Sequence, residues 1–151
     1  MSTHPVVVLK GCPVIHEQFS AAAAISPGHL VEMASATTVQ KHGTAAANAA
    51  RTFAVERGEM GKSVTTAYAT GDRVKVAHAR AGDRILARVA AAATAITAGM
   101  FLESAGNGCL RKLTTDAATD DTQRVSVVAR AMEAVDNSGG GSEVFIVVEI
   151  V

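Results

Sequence analysis

ISPGHLVEMASATTVQK, residues 25–41, returns as ITAGMFLESAGNGCLRK at residues 96–112. Aligned without a gap, the pair sets Ile25 over Ile96, Gly28 over Gly99 and Glu32 over Glu103, then Ala34 over Ala105, Val39 over Leu110 and Lys41 over Lys112. Each copy has a glycine turn, a strand, a turn of small residues and a returning strand, the pattern of a β-hairpin. Pro27-Gly28 carries the type II signature, with proline setting φ and glycine taking φ > 0. A further echo, Phe53-Ala54-Val55-Glu56 against Arg130-Ala131-Met132-Glu133, extends the related units to residues 25–56 and 96–133. Two copies are too few for a solenoid, whose repeats bury their core only by stacking on neighbours. They predict an all-β domain, a compact β-barrel or β-sandwich built from two related hairpin units, with little helix.

A chain of 151 residues fits one domain spanning 1–151 and is long enough to enclose a core. Hydrophobic residues make up 48% but aromatics only 3%, so the core is one of small side chains. Such a core buries less apolar area and gains less from it, which predicts that association supplies part of the stability. Basic and acidic residues balance at 14 each, which leaves no electrostatic footprint for nucleic acid. No apolar run reaches the ~18 residues of a membrane span. Residues 1–11 lack the charged and apolar regions of a signal peptide, so the chain is expected to stay in the cytoplasm where it is made. Cys12 and Cys109 are too few and too far apart for a disulfide framework or a zinc spacing, and are expected to be plain buried thiols.

Between the hairpins, Gly71-Asp72-Arg73-Val74 and Gly82-Asp83-Arg84-Ile85 stand 11 residues apart, each a turn entering a strand. Val74, Val76 and Ile85 alternate with Arg73, Lys75, Arg84 and Arg88, which predicts half-buried strands with a solvated basic face. Residues 63–69, with Tyr68, are rich in β-formers; residues 43–50 suit a loop or one helical turn, and 90–95 a connector. Residues 113–123 suit a surface loop, 124–135 are ambiguous with strand favoured by the repeat, and 136–142 suit a loop tip. Val6, Val7, Val8 and Leu9 form a strand or an extended arm within residues 1–10. Residues 143–151 are nearly all β-branched, a hazard as an open edge, so this strand is expected to be central or paired, in the chain or with a neighbouring subunit.

No catalytic, cofactor or metal constellation stands out. His4, His16, His29, His42 and His78 are scattered singly and are expected at the surface or half buried. Cys109 occupies the repeat position of Thr38, so a thiol is not what the hairpin requires. Gly61-Lys62-Ser63 looks like the end of a phosphate loop, but the required first glycine falls on Glu56. Asp72, Asp83, Asp120 and Asp121 suit turns that use aspartate for their own backbone. The chain is therefore expected not to be an enzyme, and to need no cofactor.

Residues 53–89 and 96–113 together resemble the capsid decoration (cement) proteins of tailed bacteriophages. Ala54-Val55-Glu56, the stretch from Thr65 to Asp72, Ala81-Gly82-Asp83-Arg84-Ile85 and residues 96–110 follow that family's order of strands and turns, with Ala81 where the family has proline. The resemblance implies a virion protein on the capsid exterior that binds the expanded shell and bridges major capsid protein subunits. It also implies a homo-oligomer, trimer favoured over dimer, with neither nucleic acid nor membrane as partner. The candidates for capsid or subunit contact are the arm Val6, Val7, Val8 and Leu9, and Phe145, Val147 and Ile150 of the last strand, acting by strand addition. One rival is a soluble ligand- or carbohydrate-binding β module, although such modules display aromatic platforms and this chain has one tyrosine and no tryptophan. The other is a different virion subunit, a head fibre or tail tube.

Overall fold

A computed structural model of the chain describes residues 5–11, 15–114 and 125–151. After β1 (Val8–Lys10) the strands fall into two sets of five. The first set is β2 (Ile15–Ala21), β3 (Val31–Met33), β4 (Thr38–Lys41), β5 (Thr52–Ala54) and β6 (Arg73–His78). The second is β7 (Arg84–Val89), β8 (Phe101–Ser104), β9 (Leu110–Lys112), β10 (Ala129–Ala131) and β11 (Val144–Ile150).

Both sets have the same topology. In the second, β7 pairs antiparallel with β11, then β10, β8 and β9 follow, and β9 returns to β7 through the parallel pair Val89↔Leu110, closing a five-stranded barrel. In the first, the order β3-β4-β2-β6-β5 includes the equivalent parallel pair of β2 and β4, and the bridge Leu30↔Phe53 joins its two ends. Even the isolated bridges correspond, Ile25↔Tyr68 in one ring and Ile96↔Val135 in the other. The duplication therefore covers whole rings, residues 15–78 and 84–150, rather than the hairpin units alone.

Local chemistry accounts for the shared framework. Ser26-Pro27-Gly28-His29 closes with His29 N–H on Ser26 C=O, and Thr97-Ala98-Gly99-Met100 closes likewise, with φ of +88° at Gly28 and +89° at Gly99. Ahead of β6, the Asp72 carboxylate accepts the Ala69 N–H; ahead of β7, Asp83 accepts the Arg80 N–H. Aspartate serves its own turn in both, as the two Gly-Asp-Arg repeats predict. Paired residues then point inward together: Val74, Val76 and Val39 fill the first ring, and Ile85, Ala87, Ile146 and Val148 the second.

Several expectations change. Residues 63–69 form no strand; turns carry them past Ile25 with Tyr68 as a single bridge, and the Tyr68 hydroxyl donates to Val55 C=O. Of the described residues 125–135 only Ala129–Ala131 is strand. The N-terminal segment is not a free arm over the described residues, since β1 pairs with β7 and Val7 is buried. β11 is central as expected, flanked by β7 and β10, so strand addition to a neighbour has no open edge on it. Cys12 and most of the loop 113–123 lie outside the described residues.

The rings pack asymmetrically. The row Leu30, Phe53 and Ala77 on the outside of the first ring is fully buried against the second. Gly28 sits so close to β7 that an added Cβ would lie 2.9 Å from Leu86 C=O and 3.3 Å from Phe145. Around Gly99, the equivalent position, no described residue comes within 4 Å of such a Cβ. Both Gly28→Ala and Gly99→Ala strain a positive-φ residue, at a cost of about 1–3 kcal/mol. Gly28→Ala is expected to cost at least ~1 kcal/mol more, because it also forces the rings apart. Urea denaturation of the two variants measures the difference, and equal losses would show that the turn does not hold the rings.

Candidate functional site

Among the described residues, the buried polar groups His29, His42 and Ser104 lie in the seam between the rings. The Pro27-Gly28 turn delivers His29 to it from the first ring. Arg88 on β7, Cys109 ahead of β9 and Glu143 ahead of β11 come from the second. His29 Nδ1 accepts the Ser26 N–H at 2.9 Å, so Nε2 carries the proton and donates to Glu143 Oε2, also at 2.9 Å. Arg88 donates to the same oxygen at 3.3 Å, to Pro27 C=O at 2.7 Å and to Val64 C=O at 3.3 Å, and its guanidinium stacks 4.5 Å above the Phe145 ring. A residue expected on a solvated basic face is instead the clamp of the seam.

The ionisation states follow from burial. Burial pushes His29 down from 6.5 to about 4, outweighing the opposing pull of Glu143, with Arg88 and Lys41 adding to the fall. Burial, followed by the Glu143 charge, pushes the Cys109 thiol well above its ordinary range, so it stays protonated beside Glu143. Burial alone would push Glu143 up; His29, Cys109 and Arg88 together hold it below the usual carboxylate value.

One ligand atom each from His29, Cys109 and Glu143 lie within 4.8 Å of one another, a donor set that zinc accepts elsewhere. Here Nε2 is the protonated nitrogen of His29, because Ser26 occupies Nδ1; ligation through Nε2 would forfeit the Ser26 bond. The His29–Glu143 pair acts as a hydrogen-bonded tie between rings, with the Cys109 thiol packed beside it.

A second tie runs in parallel. His42 Nδ1 accepts the Ser104 hydroxyl at 2.7 Å, while Nε2 faces Asn48 C=O at 3.3 Å and Glu32 Oε2 at 3.6 Å. The order Ser104, His42, Glu32 matches a nucleophile, base and acid. Ser104 is fully buried, however, and its Oγ also accepts the Gly106 N–H. Beside it, Gly108 N–H donates to His42 C=O and Gly108 C=O accepts the Leu30 N–H, so the tip of the second hairpin is stitched into the first ring. A Cβ at Gly106 would lie 2.8 Å from Ala45 N, and one at Gly108 3.0 Å from the Lys41 Cβ, which is why this tip has glycine where the first hairpin has Ser35 and Thr37.

Sequence reasoning gives His29 and His42 no functional weight and expects them at the surface or half buried. Both are buried, at 2% and 3% exposure. The signal that could mark them is their position: each flanks a repeat hairpin but has no histidine counterpart in the other copy. Of the candidate contact residues, Val7 and Ile150 are buried in the fold, Val8, Leu9, Phe145 and Val147 are half buried, and Val6 is 39% exposed. A groove of about 620 Å³ opens beside the seam, lined by Glu133, Asp136, Glu143 and Phe145 among others. All three of these carboxylates are already engaged, Glu133 by the Val147 N–H, Asp136 by Ser138 and Glu143 by His29 and Arg88.

No protein-family model matches the chain, and no curated protein matches it. Among solved structures, the fold is shared with the N base of the head fibre protein gp8.5 of bacteriophage phi29, at a TM-score of 0.54. The match covers 91% of this chain and 94% of that one at 13% identity, a likeness of fold.

The neutral state of His29 makes the seam acid-sensitive. Its folded value lies below its unfolded one, so its contribution is complete above pH 6.5 and is lost as pH falls toward about 4. Glu143, also depressed, acts in the same direction. A separation of one pH unit between the folded and unfolded titrations is worth ~1.4 kcal/mol, so His29→Gln should abolish up to about 3 kcal/mol of the stability that the wild type loses between pH 7 and pH 4. Urea midpoints at both pH values test this, and identical pH dependence in the two proteins would contradict it.

Proposed function

We propose that the chain is a structural protein of a bacteriophage virion that seats on the outside of the expanded capsid and bridges neighbouring major capsid protein subunits, as a homo-oligomer. The observation that carries the reading is the shared fold with a phage head fibre base over nearly the whole of both chains. The sequence resemblance of residues 53–89 and 96–113 to capsid decoration proteins points the same way. The physical task suits the molecule. Two rings locked by a buried seam make a rigid body with non-equivalent outer faces, and a rigid body bound to two subunits at once resists their separation. No catalytic step is part of the proposal, since the candidate nucleophiles Ser104 and Cys109 are both enclosed.

The same likeness favours a second reading, in which the chain is the base of a head fibre and bridging is incidental. Shells of the encoding phage, prepared without this protein, separate the two. Added chain is expected to sediment with expanded shells and not with immature ones, and to raise the temperature at which shells rupture. Binding with no change in rupture temperature would favour the fibre base. Failure to sediment with any shell would overturn both.

A further inference from the structure

The two rings share a framework, but the rows of residues at equivalent places on their outer faces differ in kind. In the first ring, register aligns Leu30, Phe53, Ala77 and His16 across four strands, and the first three are buried in the seam. In the second, the same register aligns Phe101, Arg130, Glu149 and Arg84, and β1 adds Lys10 beside Arg84. Phe53 has become Arg130 and Ala77 has become Glu149. A charged row cannot be buried as its counterpart is, so the ring-on-ring contact does not repeat on this face.

The row is nevertheless ordered and accessible. Glu149 holds both guanidinium groups, Arg130 at 2.9 Å and Arg84 at 3.5 Å, which fixes two long side chains in place and leaves most of their N–H groups directed elsewhere. Three cations stand against one carboxylate along about 20 Å of sheet, on a chain whose formal charge is zero. At one end Phe101 is 49% exposed, one of few large apolar side chains left in solvent among the described residues. Pre-ordered arginines next to an exposed aromatic are the composition of a protein-docking surface.

We infer that the row Phe101, Arg130, Arg84 and Lys10 is a docking face for a protein surface that presents carboxylates beside an apolar recess. The charge of the row selects the partner's sign, and its arginines suit bidentate carboxylates. A phosphate backbone fits less well, because Glu149 sits in the middle of the row and would face it. The assignment rests on the capsid reading for the identity of the partner, an acidic region of the shell exterior.

Binding of Arg130→Glu, Lys10→Glu and Phe101→Ala to the same shells, measured by sedimentation at increasing NaCl, tests it. Lys10 is exposed and stands outside the ion pairs that Glu149 makes, so Lys10→Glu guards against misfolding of the other two. Thermal melts confirm that each variant is folded. Each substitution should weaken binding about tenfold or more. Wild-type affinity should fall with salt, and more steeply than that of either charge variant. Folded variants that bind as wild type does overturn the docking face while leaving the capsid reading intact. A wild-type chain that binds no shell overturns both. Tighter retention of a labelled DNA duplex than of shells overturns the choice of an acidic protein partner.

Discussion

The seating of one turn on one strand governs this molecule. Gly28 lies against Leu86 C=O and Arg88 because it has no side chain, and its φ of +88° directs His29 into the seam. Arg88 then reaches back to Pro27 C=O, and Glu143 accepts from both His29 and Arg88. Each of these groups would be costly to bury alone, and together they satisfy one another. Around this polar centre, Leu30 and Phe53 are removed from water, each contributing roughly 1.5–3 kcal/mol. With few aromatic side chains available, a seam of this kind compensates for a core built from alanine and valine.

The N-terminal strand strengthens the same arrangement. β1 pairs with β7 of the second ring, yet the Val7 N–H is taken by Glu56, which follows β5 of the first. The chain then passes into β2 of the first ring, so a short segment is tied to both bodies. Residues that look in sequence like an arm free to reach a neighbour are part of the internal joint. Likewise β11, whose composition would make it hazardous at an edge, gains its partners from β7 and β10 within the chain.

Duplication followed by divergence explains the asymmetry between the rings. One copy of the hairpin keeps glycine at its tip and inserts it into the other ring; the other copy carries Ser35 and Thr37 and stays in solvent. One outer row became apolar and was buried, while its counterpart became charged and exposed. The framework of both rings is set by the same turns, so these exchanges altered what each ring touches without altering its topology.

The framework was legible in the chain because its causes are local. Proline before glycine specifies a type II turn, glycine before aspartate specifies a turn whose backbone the carboxylate satisfies, and alternation specifies which way each strand faces. Those rules act over a few residues, and the repeat displays them twice, which is why an all-β fold built from related units could be read directly. The seam is of another kind. His29 and Glu143 are 114 positions apart, and His42 and Ser104 are 62 apart. No spacing or periodicity joins residues at such separations. Arg88 carries the same alternation as Arg84, yet one is clamped between rings and the other lies in an open row. Which basic residue is buried depends on where the second ring comes to rest, and that is decided when both rings are complete and their outer faces meet.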